Sequence, residues 1–207
     1  MTAVLSSPLE RKKTPPALPG ELLFRLSVDQ YHEMIQAGIL RSGDPVELID
    51  GYLVLKMTKN PARRIALGST RDQLLKLIPP GWFVDTQEPV TTEISEPEPD
   101  VCVIRGQLRD YSARHPGPNE TALIVEISDT TLVWDQTFKK QSYARAGIKV
   151  YWIVNIPDGR IEVYTLPTGP AEEPDYGDTH HYGPDEQVPL IIEDREVGKI
   201  TVRDVLP

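Results

Sequence analysis

The sequence predicts an α/β protein, mixed α+β in detail, with a mixed central sheet flanked by helices and carrying added β-hairpins. Three observations predict it. Two short apolar runs, residues 101–105 (VCVIR) and 122–127 (ALIVEI), have the length and β-branched content of buried strands. Two more pairs of apolar runs flank Asp50-Gly51 and Pro157-Asp158-Gly159, turn residues that close hairpins. Segments of helical spacing separate these units, so the order reads helix, hairpin, helix, strands, helix, hairpin.

Each element follows from its residues. Positions 1–20 hold Pro8, Pro15, Pro16, Pro19 and the basic run Arg11-Lys12-Lys13, and read as a flexible arm ahead of one domain over 21–207. Ser27 is a natural N-cap, and Tyr31, Met34, Ile35 and Ile39 follow at helical spacing until Gly38 weakens the end. VELIDGYLVLK is the first hairpin. Asn60-Pro61 caps and opens a second helix that Pro79-Pro80-Gly81 must end. Residues 82–84 and 89–94 read as strands, followed by the two central ones, with a loop of about one helical turn between the latter. A third helix runs over 135–146, closed by Gly147. After the second hairpin, residues 168–187 are acidic and rich in Gly and Pro and read as a long loop, and VPLIIEDREVGKITVRDVLP closes the chain as a strand pair.

Composition narrows the function classes. The chain has 207 residues, 39% hydrophobic and 26% charged, enough for one substantial core. It contains no run near the ~20 apolar residues of a membrane span and no secretory h-region. The single cysteine, Cys102, sits in an apolar run as a buried small residue, and the whole suits a reducing cytoplasm. A net charge of −9 counts against nucleic acid unless basic residues cluster on one face. It also fits a site that collects carboxylates around a cation. His180-His181 lies among acidic residues, without regular ligand spacing. Trp134, Tyr151 and Trp152 read as core rather than as base-stacking platforms.

Asp100 and Glu126 carry the chemistry. Asp100 opens one apolar strand, and Glu126 lies inside the next, where a carboxylate is costly unless paired, hydrogen-bonded or metal-bound. On neighbouring strands they could converge on one hard cation, which prefers oxygen ligands. The alternative for Glu126 is an internal salt bridge or a solvent-facing strand end. On the third helix Asp135, Lys139 and Tyr143 share a face, while Lys140 points roughly 100° away. Ser128 shares the strand face of Glu126 and leaves room for a longer side chain from that helix.

Pro99-Asp100, a spacer and Glu126-Ile127-Ser128 resemble the restriction-endonuclease-like PD-(D/E)xK superfamily, with serine where that pattern has lysine. The wider stretches VELIDGYLVLKM, SEPEPDVCVIRG, LIVEISD and YARAGIKVYWIVN resemble the Uma-type endonuclease family, bacterial proteins once grouped as a domain of unknown function. The resemblance covers about residues 24–207. It implies a restriction-endonuclease-like fold and a metal site of Asp100 and Glu126, completed by Glu47. It implies Lys139 as the displaced lysine that orients water or stabilises charge on phosphate. Residues matching Glu47 and Lys139 also have plainer readings, as a polar opening to the hairpin and a solvated lysine paired with Asp135. Many family members carry a histidine early in the second helix. This chain has Arg63 and Arg64 there, which are either solvated or available to a phosphate.

The expected function is a DNA endonuclease dependent on Mg2+ (or Mn2+), hydrolysing phosphodiesters with metal-activated water. Asp100, Glu126 and Lys139 are its catalytic residues, and Arg63, Arg64 and Lys140 supply phosphate contacts. A homodimer that cuts both strands is expected by the same resemblance. The alternative is an inactive nucleic-acid- or protein-binding module that keeps the fold, and a place in a mobile-element or toxin-like system is a third. The two leading readings separate on geometry: convergence of Glu47, Asp100, Glu126 and Lys139 favours catalysis, and a solvent-facing Lys139 favours binding.

Overall fold

The computed structural model describes residues 22–41, 43–56 and 60–207, so the arm expected over 1–20 lies outside the described residues. Helix α1 (Val28–Gln36) opens at Ser27, whose hydroxyl accepts from the Gln30 N–H while the Gln30 side chain returns to the Ser27 N–H. Strands β1 (Val46–Ile49) and β2 (Tyr52–Leu55) form the first hairpin. Asp50 and Gly51, at φ of 48° and 82°, supply the left-handed turn that the sequence predicts. Helix α2 (Pro61–Leu77) starts at Asn60, whose side chain accepts from the Arg63 N–H.

The central sheet then builds from β3 (Trp82–Asp85), β4 (Val101–Arg105) and β5 (Thr121–Ser128). The third helix follows as α3 (Leu132–Trp134), a π-helical segment (Asp135–Lys139) and α4 (Lys140–Ala146), closed by Gly147 at φ 75°. Strands β6 (Val150–Asn155), β7 (Arg160–Pro167) and β8 (Tyr176–Tyr182) complete a six-stranded sheet of order β3-β4-β5-β6-β7-β8. Only β5 and β6 in this sheet run parallel, because the third helix carries the chain over between them. Strands β9 (Gln187–Ile192) and β10 (Arg195–Thr201) form a separate pair.

Strand alternation gives the sheet two apolar faces. Val103, Val125, Ile127, Trp152 and Val154 pack one face against α2 and the β9–β10 pair. Cys102, Ile104, Ile124, Tyr151 and Ile153 pack the other against Tyr143 and Ala144 of α4. Cys102 is buried, as its apolar setting predicts.

Three elements differ from expectation. Residues 89–94 form no strand: Pro89, Pro97 and Pro99 cannot donate to a ladder, and the segment closes on itself through Val90 N–H to Pro97 O and Gln87 N–H to Pro99 O. The loop expected over 168–187 contains β8, an edge strand whose side chains are mostly exposed. Its polar composition hid it, because ladder bonds to β7 hold it rather than apolar burial. The third helix begins at Leu132 and includes a π-helical turn, a feature that side-chain periodicity does not encode. Among the described residues, no helix is long and apolar enough to cross a membrane.

Candidate active site

The site forms on the α4 face of the sheet, at the ends of β4 and β5. The antiparallel register pairs Val101 with Val125, which puts Asp100 beside Glu126 on that face. The Asp100 carboxylate accepts the Ile127 N–H at 2.8 Å, so it seals the end of the β5 backbone. Glu47 comes from β1. An isolated bridge between Leu48 and Glu96 docks that hairpin, and the Glu98 N–H donates to Glu47 Oε2 at 3.0 Å.

Lys139 completes the group from the π-helical turn. Its Nζ lies 2.9 Å from Glu126 Oε1 and 3.3 Å from Glu47 Oε1, and the residue is buried. One helical turn on, the Tyr143 hydroxyl donates to the same Glu126 oxygen at 2.7 Å. Asp135, a turn earlier, accepts from the Ser128 and Thr131 hydroxyls at 2.6 Å each. Ser128, standing where the superfamily pattern has lysine, therefore anchors the start of the helix that delivers Lys139.

A second cation enters from α2. The Asn60 side-chain amide donates to Asp129 at 2.6 Å and ties the helix start to the end of β5. From the first turn, one terminal nitrogen of Arg63 reaches both Asp100 oxygens, at 2.9 and 2.7 Å, and its Nε donates to the Ile127 carbonyl at 3.0 Å.

The electrostatics follow from burial. Glu47, Asp100, Glu126 and Asp135 are all buried, against two cations, Arg63 and Lys139. Burial pushes the Glu126 carboxyl well above the usual carboxylate range, more than Lys139 pulls it down. Asp135 is raised by burial too. Burial alone would discharge Lys139, but Glu126, Glu47 and Asp135 outweigh it and hold the ammonium charged. Arg63 is likewise held charged by Asp100 and Glu126 against its burial.

The structure thus brings Glu47, Asp100, Glu126 and Lys139 together, with Lys139 turned inward rather than to solvent. Arg63 joins them, lining a cavity of about 90 Å³ with Glu47, Gln87, Asp100, Asp135 and Lys139. Arg64 is exposed and lines a neighbouring groove with Arg63. Lys140 is not brought to the cavity; it pairs with Asp175 at 2.8 Å and sits over the Tyr164 ring. Tyr151 and Trp152 are core, as expected, whereas Trp134 lines the cavity and stacks on Phe138 with centroids 4.6 Å apart. Among the described residues, no three His, Cys, Asp or Glu side chains are disposed to hold a metal ion as they stand.

A further buried carboxylate, Glu162 of β7, lies outside this cluster and is not among the residues that the sequence singles out. It accepts from Gln136, Asn155, Arg160 and Tyr164, at 2.6 to 3.0 Å. Its signal was the same as that of Glu126, an acidic residue inside an alternating apolar strand (RIEVYTL).

A mixed sheet flanked by helices, with acidic residues gathered at the ends of two central strands, is a nuclease-like architecture. Solved structures of similar fold include a "putative nuclease belonging to DUF820" from Anabaena variabilis ATCC 29413, with a TM-score of 0.60 and 14% identity over 87% of this chain and 97% of that one. The family profile Uma2, described as "Putative restriction endonuclease", matches residues 28–196, and the chain belongs to that family. No curated protein matches the chain.

Proposed function

We propose that this chain is a divalent-metal-dependent endonuclease that hydrolyses DNA phosphodiesters. The observation that carries the reading is the convergence of Glu47, Asp100, Glu126 and Lys139, from four separate segments, on one buried cluster. The donor set is all oxygen, three carboxylates and the Ile127 carbonyl, which fits a hard ion such as Mg2+ or Mn2+. Asp100 and Glu126 would hold it, with Glu47 as a further ligand. When bound, the ion supplies Lewis-acid polarisation of the phosphate and an activated water. Lys139 is held charged at Nζ by Glu126, Glu47 and Asp135 against its burial, and would stabilise charge that develops on the phosphate in a site shielded from bulk water. Tyr143 fixes the rotamer of Glu126. Arg63 and Arg64 give the mouth of the site positive charge against the chain's net charge of −9. DNA is the substrate that the family's description as a restriction endonuclease favours, and a homodimer would present two such sites to two strands.

The test is Mg2+ binding by calorimetry together with nicking of supercoiled plasmid, on wild type, Asp100→Ala and Glu126→Ala. Wild type should bind and nick, and both variants should lose both. A wild type that binds no divalent ion and cuts nothing across DNA and RNA substrates overturns the reading.

One observation favours the second reading, a binding module that keeps the fold: Asp100 and Glu126 already have cation partners within the chain, at 2.7 and 2.9 Å. Gel-shift binding to DNA in excess chelator, with no cleavage on adding metal, is its signature.

A further inference from the structure

The Arg63 guanidinium occupies an oxygen cage. Its three short contacts go to Asp100 Oδ1, Asp100 Oδ2 and the Ile127 carbonyl. These oxygens come from two residues at the ends of β4 and β5, the Asp100 carboxylate facing a terminal nitrogen and the Ile127 carbonyl facing Nε, and together they hold a cation that the chain supplies from its own side chain. The placement is enforced, because Asn60 caps α2 through the Arg63 N–H and ties the helix to Asp129. The side chain nevertheless retains an exit. Arg63 forms part of the wall between the cavity and the neighbouring groove lined by Asn60, Pro61, Arg64 and Gly68, and its side chain keeps 16% of its exposure. Lys139, at 7%, lines the cavity but not that groove.

We infer that Arg63 is the resident counter-ion of the Asp100–Ile127 oxygen cage, and that a divalent cation reaches Asp100 only by displacing this guanidinium into the Arg64 groove. The inference rests on the metal reading above and adds to it the residue that sets the threshold for metal loading. Two cations cannot share the Asp100 carboxylate at these distances without strong repulsion. The metal therefore binds with its intrinsic affinity reduced by the cost of breaking three contacts, and a displaced Arg63 stands beside Arg64 at the mouth. By linkage, whatever anion holds Arg63 outward must tighten metal binding by the same factor.

The experiment uses the full chain and Mn2+ as the probe. Binding is followed by calorimetry and by loss of the free-ion EPR signal, so neither readout depends on activity. Arg63→Gln removes the competitor and should bind Mn2+ on the order of tenfold more tightly than wild type, the factor that one adjacent charge is worth. Arg63→Lys, which keeps the charge but not the fork, should fall between. Adding Asp100→Asn to Arg63→Gln should erase the gain. The thermal midpoint of Arg63→Gln should rise more on adding Mn2+ than that of wild type. If Arg63→Gln does not fold, wild type against Arg63→Lys decides: tighter binding by the lysine variant supports the inference, and equal or weaker binding overturns it. Wild type that binds Mn2+ while Arg63→Gln binds no more tightly overturns the inference and leaves the metal reading standing. Failure of wild type and both variants to bind overturns both.

Discussion

Glu126 and Glu162 lie in one row across three strands. Glu126 on β5 pairs with Ile153 on β6, and Ile153 pairs with Glu162 on β7. Both carboxylates are buried on the same face of the sheet, under the same helix. Yet burial drives Glu126 upward, while Glu162 is held down at about 2, its burial outweighed by hydrogen bonds from Tyr164, Gln136, Asn155 and Arg160. The difference lies in the donors. Glu162 has both oxygens fully committed, whereas the contacts of Glu126 with Lys139 and Tyr143 both fall on Oε1. A carboxylate whose oxygens are all taken is part of the scaffold. One left short of donors in a buried setting retains a capacity to bind, and that distinction separates the candidate site from the support around it.

Substitution can break this comparison most sharply in activity. Glu126→Gln should reduce plasmid nicking on the order of 10³-fold while lowering the thermal midpoint far less than Glu162→Ala does, since Glu47 and Asp135 still face the Lys139 ammonium. A midpoint drop as large as that of Glu162→Ala would make Glu126 structural as well. For Glu162→Ala the expected loss is about 3–5 kcal/mol in urea unfolding, because Arg160, Gln136 and Asn155 lose their shared acceptor. A loss under about 1 kcal/mol would put Glu162 in the class of surface ion pairs instead.

The pH dependence sharpens the same contrast. The folded value of Glu162, about 2, lies below the unfolded value of about 4.3. Its stabilising contribution, about 3 kcal/mol, is therefore fully present above the unfolded value and lost as pH falls toward the folded one. The stability gap between wild type and Glu162→Gln should shrink steadily between about pH 4.5 and 2; a gap that stays constant there rules out Glu162 as the titrating group. The smallest effect expected is that of Gln136→Ala. It leaves Glu162 its other donors and should cost about 1 kcal/mol, with a modest fall in kcat at unchanged KM as the helix carrying Lys139 loosens. An unchanged kcat would show that the two networks act independently.

Much of this was legible in the sequence, for physical reasons. Hairpins written with Asp50-Gly51 and Pro157-Asp158-Gly159 are local chemistry, as are the caps at Ser27 and Asn60, and each forms where the sequence puts it. The convergence of Asp100 with Glu126 follows from strand parity and register, and Lys139 with Tyr143 from helical spacing. What stayed hidden depends on partners distant in sequence. Arg63 reads as a solvated helix residue or a phosphate contact, not as a partner of Asp100, until Asp100 and Ile127 are seen across from it. Glu162 needs four donors from the third helix, β6 and β7 to explain it. Strand β8 has no apolar pattern to announce it, because an edge strand with exposed side chains draws its order from the ladder alone.

The π-helical turn over Asp135–Lys139 has one more consequence. An α-helix keeps a fixed angular phase of about 100° per residue, so one face serves one line of the sheet below. The wide turn inserts a phase step. Gln136 points down to β7, and Lys139 and Tyr143 point down to β5, two strands apart. Thr137, with its hydroxyl bonded back to the Val133 carbonyl, is exposed in the middle of that step. Deleting that one exposed residue would let the helix regularise and remove no core contact of its own. It would also turn Gln136 and Lys139 out of phase with each other, so that the helix could address the scaffold carboxylate or the reactive one but not both.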